Sequence, residues 1–173
     1  MTNIFSPPRR WVVMGVSGCG KSDIGQRLAT ALDIPFVEGD AWHSPANVAK
    51  MAAGIALSDH DRAAWLGILR DKIALAASNG VSLVVSCSAL KRRYRDLLRE
   101  GDPELFFVEL DGPRALIEQR MRARTGHFMP TSLLDSQFRD LEPLQADERG
   151  LRADIGGSLE EVTQAILSSV SGR

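Results

Sequence analysis

The segment Gly15-Val-Ser-Gly-Cys-Gly-Lys-Ser22 constrains the fold more than any other part of the sequence. It follows an apolar run at 11–16, which predicts a buried strand, and precedes a segment in which Ile24 and Leu28 share one face of a helix. A strand that passes through such a loop into a helix points backbone N–H groups and the positive end of the helix dipole at one place. Phosphate groups bind at such sites, so we expect the chain to bind a nucleotide.

Individual residues of this loop have separate expected roles. The backbone around the phosphates is expected to come from Gly15, Val16, Ser17, Gly18, Cys19 and Gly20. Lys21 is expected to reach the β- and γ-phosphates of ATP, and the Ser22 hydroxyl is expected to bind Mg²⁺. Cys19 has two interpretations: a small residue that the loop tolerates, which we favour, or a thiol acidified by the helix N-terminus and sensitive to oxidation.

Strand-like and helix-like segments alternate along all 173 residues. This alternation predicts one α/β domain with a five-stranded parallel sheet covered by helices on both faces. Strands are predicted at 11–16, 35–38, 81–87, 104–110 and 151–155. Helices are predicted at 21–32, 46–53, 58–78, 88–100, 113–124 and 131–141 and from 158 onward. Within these, Ser58 and Asp61 form a capping-box pattern, Ser88 is a candidate cap, and Pro113 suits a first helical position.

The composition excludes several classes of function. The 21 basic and 22 acidic residues nearly cancel, which argues against a generic nucleic-acid binder and against attraction to anionic membranes. No apolar run reaches the roughly 18 residues that span a bilayer, and the N-terminal residues lack the pattern of a secretory signal. Two cysteines are too few for a disulfide framework. We therefore expect a cytoplasmic protein with no nucleic-acid or membrane partner.

The phosphate loop does not by itself distinguish a kinase from a GTPase or a motor. The guanine-reading pattern N-K-x-D is absent, and the third predicted strand ends without the carboxylate that ATPases place there for Mg²⁺. Asp40, just after the second predicted strand, is the best remaining carboxylate. The carboxyl ends of parallel strands meet at the ligand crevice, so Asp40 is expected to act as general base for an acceptor hydroxyl. Its alternative role is to cap the next turn.

Several further segments resemble one family, the bacterial-type gluconate kinases, which are P-loop small-molecule kinases. The resemblance covers about residues 12 to 155, and its Ser-Ala-Leu-Lys and Gly-His-Phe elements are more specific than the phosphate loop. The matching segments are Gly15–Ser22, Glu38–His43 with Asn47 and Lys50-Met51, Leu57–Leu66, Cys87–Arg95, Arg124–Phe128, Gln137 and Asp147-Glu148. The sequence departs from the family at Ala56, where proline is frequent, and in the Ser-Pro-Pro-Arg-Arg extension at its N-terminus.

The resemblance implies ATP-dependent phosphorylation of D-gluconate at its 6-hydroxyl. It also implies the fold of nucleoside-monophosphate and shikimate kinases, with strand order 2-3-1-4-5, a lid and a homodimer. We place a substrate-binding helical segment at about 40–80 and the lid at about 120–140. Arg124 is expected to contact the transferring phosphate and to act in catalysis with Lys21 and Asp40.

Gluconate requires a cation for its carboxylate and polar groups for its hydroxyls. Lys91 and Arg95, four residues apart, are predicted to face the crevice, and His43 is predicted to bind the substrate beside Asp40. Arg62 is a weaker candidate, because it could belong to the charged first turn of a helix. The remaining nearby side chains are interpreted as solvated arginines at 92, 93 and 99, and as packing tryptophans at 42 and 65.

The basic segment from Arg120 to Pro130 has the composition of a lid, with glycine and proline where a chain can hinge. We expect Arg120 to contact the nucleotide and His127 to close over the acceptor, and we interpret Arg122 as solvated. The histidines have no spacing suited to a metal site.

Two other functions are possible: a shikimate or nucleoside-monophosphate kinase, and a non-catalytic ATP-binding module. Intact Lys21, Ser22 and Asp40 argue against the second.

Overall fold

Five parallel strands form a single sheet in the part of the chain that the computed structural model describes, which is residues 9–124, 130 and 132–171. The strands are β1 (Arg10–Met14), β2 (Phe36–Glu38), β3 (Leu83–Ser86), β4 (Phe106–Asp111) and β5 (Gly150–Asp154). Their order across the sheet is β2-β3-β1-β4-β5. Both the predicted α/β class and the strand order implied by the resemblance are confirmed.

Helices cover both faces of this sheet. They are α1 (Lys21–Leu32), α2 (Pro45–Ala52), α3 (Asp59–Ser78), α4 (Arg92–Arg99), α5 (Arg114–Ala123), α6 (Ser132–Asp140) and α7 (Leu159–Ser171). Side chains of a strand alternate between faces, so Trp11 and Val13 of β1 pack in one apolar cluster with α1 and α7. Val12 and Met14 pack in a second cluster with α3 and α4. Two apolar layers therefore hold the sheet, and β1 lies at its centre.

Three residues were assigned specific roles at helix N-termini, and the structure confirms one of these assignments and contradicts two. Ser58 and Asp61 form a complete capping box at the start of α3, as the sequence indicates. Pro113 is the residue before α5 rather than its first helical residue, because its backbone is extended, with ψ of 138°. Ser88 does not cap α4, which begins at Arg92 after Ala89 adopts a left-handed φ of 44°.

The loop between β3 and α4 supports the phosphate loop, and this explains why α4 begins further along the chain than predicted. The carbonyl of Ser88 accepts a hydrogen bond from the Gly15 N–H at 3.3 Å, so this loop supports the start of the phosphate loop. A helix beginning at Ser88 would turn that carbonyl along its own axis.

No helix in the described ranges combines the length and apolar character needed to cross a membrane.

Candidate active site

The segment Gly15–Ser22 forms a loop between β1 and α1, as its motif predicts. Gly20 precedes the helix with a left-handed φ of 96°, and the first-turn N–H groups of α1 that follow have no partner within the helix. The Lys21 ammonium donates to the Val16 carbonyl at 3.0 Å. The ammonium of Lys21 therefore bonds within its own loop. A phosphate bound in this loop would compete with the Val16 carbonyl for that ammonium.

Gly18 lets this loop lie directly against α5. Its φ is +81°, and a Cβ atom there would overlap the side chain of Met121 and press on Ile117. Both conditions favour glycine. The close fit fixes the loop against the helix that leads into the predicted lid.

The turn that carries Asp40 is fixed on both sides. Residues Gly39–Trp42 form a 3₁₀ turn after β2. The Gly39 N–H donates to Ser86 Oγ at 3.1 Å, while the Trp65 indole N–H donates to the Gly39 carbonyl at 2.8 Å. The Asp40 side chain itself is 64% exposed and ready to meet a ligand. Backbone contacts thus orient a carboxylate that remains accessible.

His43 lies beside Asp40 and is held by its surroundings. Its Nε2 is 4.0 Å from Asp40 Oδ1, and its ring stacks on Trp65 at a centroid distance of 3.9 Å. The Asn47 amide nitrogen lies 3.4 Å from His43 Nδ1. Burial lowers the pKa of His43; the charge of Asp40 opposes this and that of Arg62 adds to it. The lowered pKa favours the neutral form of His43, whose side chain is only 3% exposed beside the accessible Asp40 carboxylate.

The phosphate loop and the Asp40 turn meet at the end of β3 on either side of Cys87, where the Gly15 N–H donates to the Ser88 carbonyl and the Gly39 N–H donates to Ser86 Oγ. Burial raises the pKa of Cys87 to about 12, and the charges of Asp40, Lys21 and Arg62 all act on this thiol. The negative charge of Asp40 and the positive charges of Lys21 and Arg62 thus all lie within electrostatic range of the Cys87 sulfur.

Arg62, the weaker candidate near the start of α3, is buried and does not belong to an exposed charged turn. It is only 6% exposed, and its Nε has no hydrogen-bond partner. The signal available in the sequence was its position four residues into a capped helix. Two acidic neighbours made that position resemble an ordinary charged first turn.

Lys91 lies at the edge of the same region. It precedes α4, and its ammonium is 3.3 Å from the Asp59 carboxylate at the start of α3. Asp59 also accepts hydrogen bonds from Tyr94 and Arg93. The Tyr94 hydroxyl, followed by Arg93 and Lys91, lowers the pKa of Asp59 to about 2. Lys91 therefore connects α3 to α4 next to the buried Arg62.

Arg95 does not face the crevice, contrary to its predicted role in substrate binding. The residue is completely buried, and its guanidinium binds both carboxylate oxygens of Glu148 at 2.7 and 2.9 Å. It also donates to the Ala89 carbonyl at 2.9 Å. Arg95 therefore holds the strained loop that precedes α4.

We predicted that Arg92 and Arg99 are merely solvated, but both form ion pairs in the structure. Arg92 forms a two-pronged ion pair with Asp147, and Arg99 donates to Glu148 at 2.9 Å. Arg93 is mostly exposed and pairs with Asp59. The Asp147-Glu148 pair thus anchors α4 from the segment before β5.

The lid prediction falls only partly within the described residues. Arg120 donates to the carbonyls of Ile155 and Gly157, at 2.8 and 3.4 Å, on the loop after β5. Arg124 is exposed just past α5, and its charge acts on the Cys19 thiol in the phosphate loop. His127 lies outside the described residues.

Gln137 of α6 contacts the phosphate loop directly. Its side-chain oxygen accepts a hydrogen bond from the Ser17 N–H at 2.6 Å. The helix at the end of the predicted lid segment is therefore bound to the loop expected to hold the phosphates.

Cys19 is completely buried, and this burial raises the pKa of its thiol despite the nearby charge of Lys21. The acidified-thiol interpretation is wrong, and a packed small residue is what the structure shows. Among the described residues, no group of three or more His, Cys, Asp or Glu side chains is placed to hold a metal ion.

A parallel sheet in this order, a phosphate loop on its central strand and a carboxylate at the end of β2 define a P-loop kinase. Residues 11–144 match the family described as an AAA domain. The chain belongs to the gluconokinase family: it is 45% identical over 162 residues to the thermosensitive gluconokinase of Escherichia coli K12, covering 92% of this chain and 86% of that protein.

Other comparisons agree with this family. The gluconokinase of Gluconobacter oxydans is 48% identical over 151 residues, covering 87% of this chain and 85% of that protein. The crystal structure of a gluconokinase from Sinorhizobium meliloti matches with a TM-score of 0.87 and 45% identity, covering 95% of this chain and 93% of that one. An APS kinase from Mycobacterium tuberculosis, at 18% identity and a TM-score of 0.69, shares the fold.

Proposed function

We propose that this protein transfers the γ-phosphoryl group of ATP to the 6-hydroxyl of D-gluconate, giving 6-phospho-D-gluconate and ADP. One observation supports this most: the phosphate loop and the Asp40 turn are both hydrogen-bonded to the end of β3, through the Gly15 N–H to the Ser88 carbonyl and through the Gly39 N–H to Ser86 Oγ. A phosphate-binding cation and an accessible carboxylate at one place are the minimum that phosphoryl transfer to a hydroxyl requires.

In this proposal the Asp40 carboxylate accepts the proton of the attacking 6-hydroxyl. The Gly39 contacts with Ser86 and Trp65 set its direction. Neutral His43, stacked on Trp65, donates a hydrogen bond from Nε2 to a substrate hydroxyl. Lys91, on the Asp59 side of the same region, contributes a further donor to the acceptor.

On the nucleotide side, the loop Gly15–Ser22 surrounds the phosphates with N–H groups from the first turn of α1, and Lys21 leaves the Val16 carbonyl for the β- and γ-phosphates. Arg124, whose charge already acts on the loop through Cys19, stabilises the transferring group. Arg120, held at the loop after β5, contacts the nucleotide from that side. His127, which lies outside the described residues, stays a predicted contact of the acceptor.

A magnesium ion fits this site through the Ser22 hydroxyl at the start of α1. Mg²⁺ in phosphoryl-transfer sites keeps several waters and uses few protein ligands besides the substrate phosphates, and a single hydroxyl meets that need. When bound, the ion neutralises charge on the β- and γ-phosphates. We place the enzyme in the cytoplasm as a homodimer, which light scattering would test as a particle near twice 18.9 kDa.

The function is tested by measuring ADP release with gluconate, shikimate and nucleoside monophosphates as acceptors. Turnover with gluconate alone is the expected result. Turnover with another acceptor, or ATP binding without turnover on any of them, would contradict the proposal.

The role of Asp40 is tested with Asp40→Asn, which keeps the side chain's size but removes its basicity. We expect kcat to fall by about 10²- to 10⁴-fold, the usual contribution of a general base. Asp23→Asn, which alters an acidic residue in the first turn of α1, is the control for a change of charge near the loop. An Asp40→Asn enzyme with wild-type kcat would exclude Asp40 as the base.

A further inference from the structure

Arg62 is buried without a partner. The residue is 6% exposed, and its guanidinium makes no hydrogen bond or ion pair with any residue in the described ranges. Arg95 provides a comparison within the same chain, because its buried guanidinium binds Glu148 and three main-chain carbonyls. A buried cation left unpaired destabilises a folded protein, so a role outside folding must account for it.

The acidic residues next to Arg62 in the sequence do not neutralise it. Asp59 is bound by Tyr94, Arg93 and Lys91. Asp61 binds the Lys50 ammonium at 2.9 Å and the Ser58 N–H at 2.9 Å. Both carboxylates are therefore committed elsewhere, although they lie within three residues of Arg62.

The guanidinium of Arg62 lies on the acceptor side of the site. Its Cζ is 5.6 Å from the centre of the Tyr94 ring, and its charge acts on His43 and Cys87. These neighbours come from α4, the Asp40 turn and the end of β3. The phosphate loop instead packs against α5 through Gly18. The position of Arg62 thus favours an anionic group of the acceptor over the phosphates of the nucleotide.

We propose that Arg62 binds the carboxylate of the acceptor and so selects an open-chain sugar acid over an uncharged analogue. This inference rests on the proposed function and assigns the carboxylate to a different cation from Arg95. The planar guanidinium can donate two parallel hydrogen bonds to a carboxylate. Burial strengthens that pairing, because little water competes for it.

The test compares two acceptors, D-gluconate and D-gluconamide, in which a neutral amide replaces the carboxylate and the hydroxyls are unchanged. The wild-type enzyme should prefer gluconate strongly. In Arg62→Met, KM for gluconate should rise about 30- to 1000-fold, the range for losing one partner of a buried charge pair. KM for gluconamide and KM for ATP should stay near their wild-type values, so the preference for gluconate should disappear.

Arg70→Met is the matched control. Arg70 is on the same helix, but its guanidinium pairs with Glu100 and Asp71 at the surface. It should keep the wild-type preference for gluconate. Since the Arg62 cation is unpaired in the free protein, Arg62→Met should also melt at or above the wild-type temperature.

The outcomes separate the inference from the proposed function. A wild-type enzyme that does not phosphorylate gluconate defeats the proposed function. If the wild-type enzyme phosphorylates gluconate, two results for Arg62→Met defeat this inference alone. One is that its KM rises equally for gluconate and gluconamide, and the other is that it keeps the wild-type preference for gluconate. If Arg62→Met does not fold, calorimetry on Arg62→Lys decides: weaker binding of gluconate with unchanged binding of gluconamide supports the inference, and unchanged binding of gluconate overturns it.

Discussion

At the scale of single residues, Gly39 shows how little freedom the catalytic turn has. A Cβ atom at this position would overlap the carbonyl oxygen of Ser86 in β3. That carbonyl belongs to a strand paired on both sides and cannot move aside cheaply. Any larger residue must therefore shift the turn and the Asp40 carboxylate with it.

Gly39→Ala should consequently lower kcat/KM for gluconate by about 10²-fold or more, the effect of misplacing a reacting group by about 1 Å. Steady-state kinetics, with circular dichroism to confirm folding, provides the measurement. Gly67→Ala is the control, because a Cβ there would meet only the end of Arg70 at 3.9 Å. Equal activity of the two variants would show that the turn tolerates displacement.

The Arg95–Glu148 pair supports the fold, and its loss should be measurable as stability. Hydrogen bonds from Arg95 and from the Gln145 N–H lower the pKa of Glu148, even though burial by itself raises it. Arg95→Met leaves the Glu148 charge without its main partner and should cost about 3–5 kcal/mol of unfolding free energy. Urea denaturation measures this loss. Arg93→Met, which removes an exposed arginine two residues away on α4, should cost much less.

The wrong prediction for Arg95 has a definite physical cause. The prediction for Lys91 and Arg95 assumed that residues four apart share a helix face. Lys91 precedes the first residue of α4 and has an extended backbone, so that rule does not apply to it. The sequence makes Arg62 no more than a candidate, since which of Asp59, Asp61 and Arg62 lacks an ion pair depends on contacts with α2 and α4.

At the scale of elements, the apolar periodicities located every strand and helix to within a few residues. The errors lie where tertiary contacts set the boundary. The loop at 87–91 stays unwound because it serves Gly15 and Arg95. The 3₁₀ turn at Gly39–Trp42 is too short to leave a periodic pattern.

The contact of α6 with the phosphate loop leads to a prediction for Gln137. Gln137→Ala removes the acceptor of the Ser17 N–H and should lower kcat/KM for ATP by about 5- to 10-fold, the effect of one hydrogen bond. Gln137→Glu keeps the acceptor but adds a negative charge beside the phosphates, so it should be worse than Gln137→Ala. Kinetics at varied ATP concentration measures both effects.

Gln164→Ala on the exposed side of α7 is the control for loss of a glutamine and should behave as wild type. A Gln137→Glu enzyme that binds ATP as well as Gln137→Ala would show that this side chain is too far from the nucleotide to affect it.

At the scale of the whole molecule, alternating strands and helices were enough to predict a parallel sheet with two covered faces. Alternation alone does not order the strands, and the order 2-3-1-4-5 came from the resemblance. Long-range strand pairing decides the strand order, because β1 pairs with β3 on one side and with β4 on the other.

The reactivity of the two cysteines tests how tightly the two apolar layers are packed. Cys19 and Cys87 are both buried, and burial raises the pKa of each thiol. At pH 8 a thiol reagent such as Ellman's should therefore react with neither in the native protein and with both in urea. Cys19→Ser should reduce the count in urea to one. Rapid labelling of the native protein, or peroxide inactivation that Cys19→Ser prevents, would contradict the buried assignment.

The central position of β1 has a consequence for how the chain is made. This strand leaves the ribosome first, yet its neighbours β3 and β4 lie more than 70 residues further along the chain. Such distant pairing slows folding, because a long stretch of polypeptide must be ordered before the contacts form. The glycine-rich loop after β1 therefore cannot reach its final place in the sheet until both β3 and β4 have been synthesised.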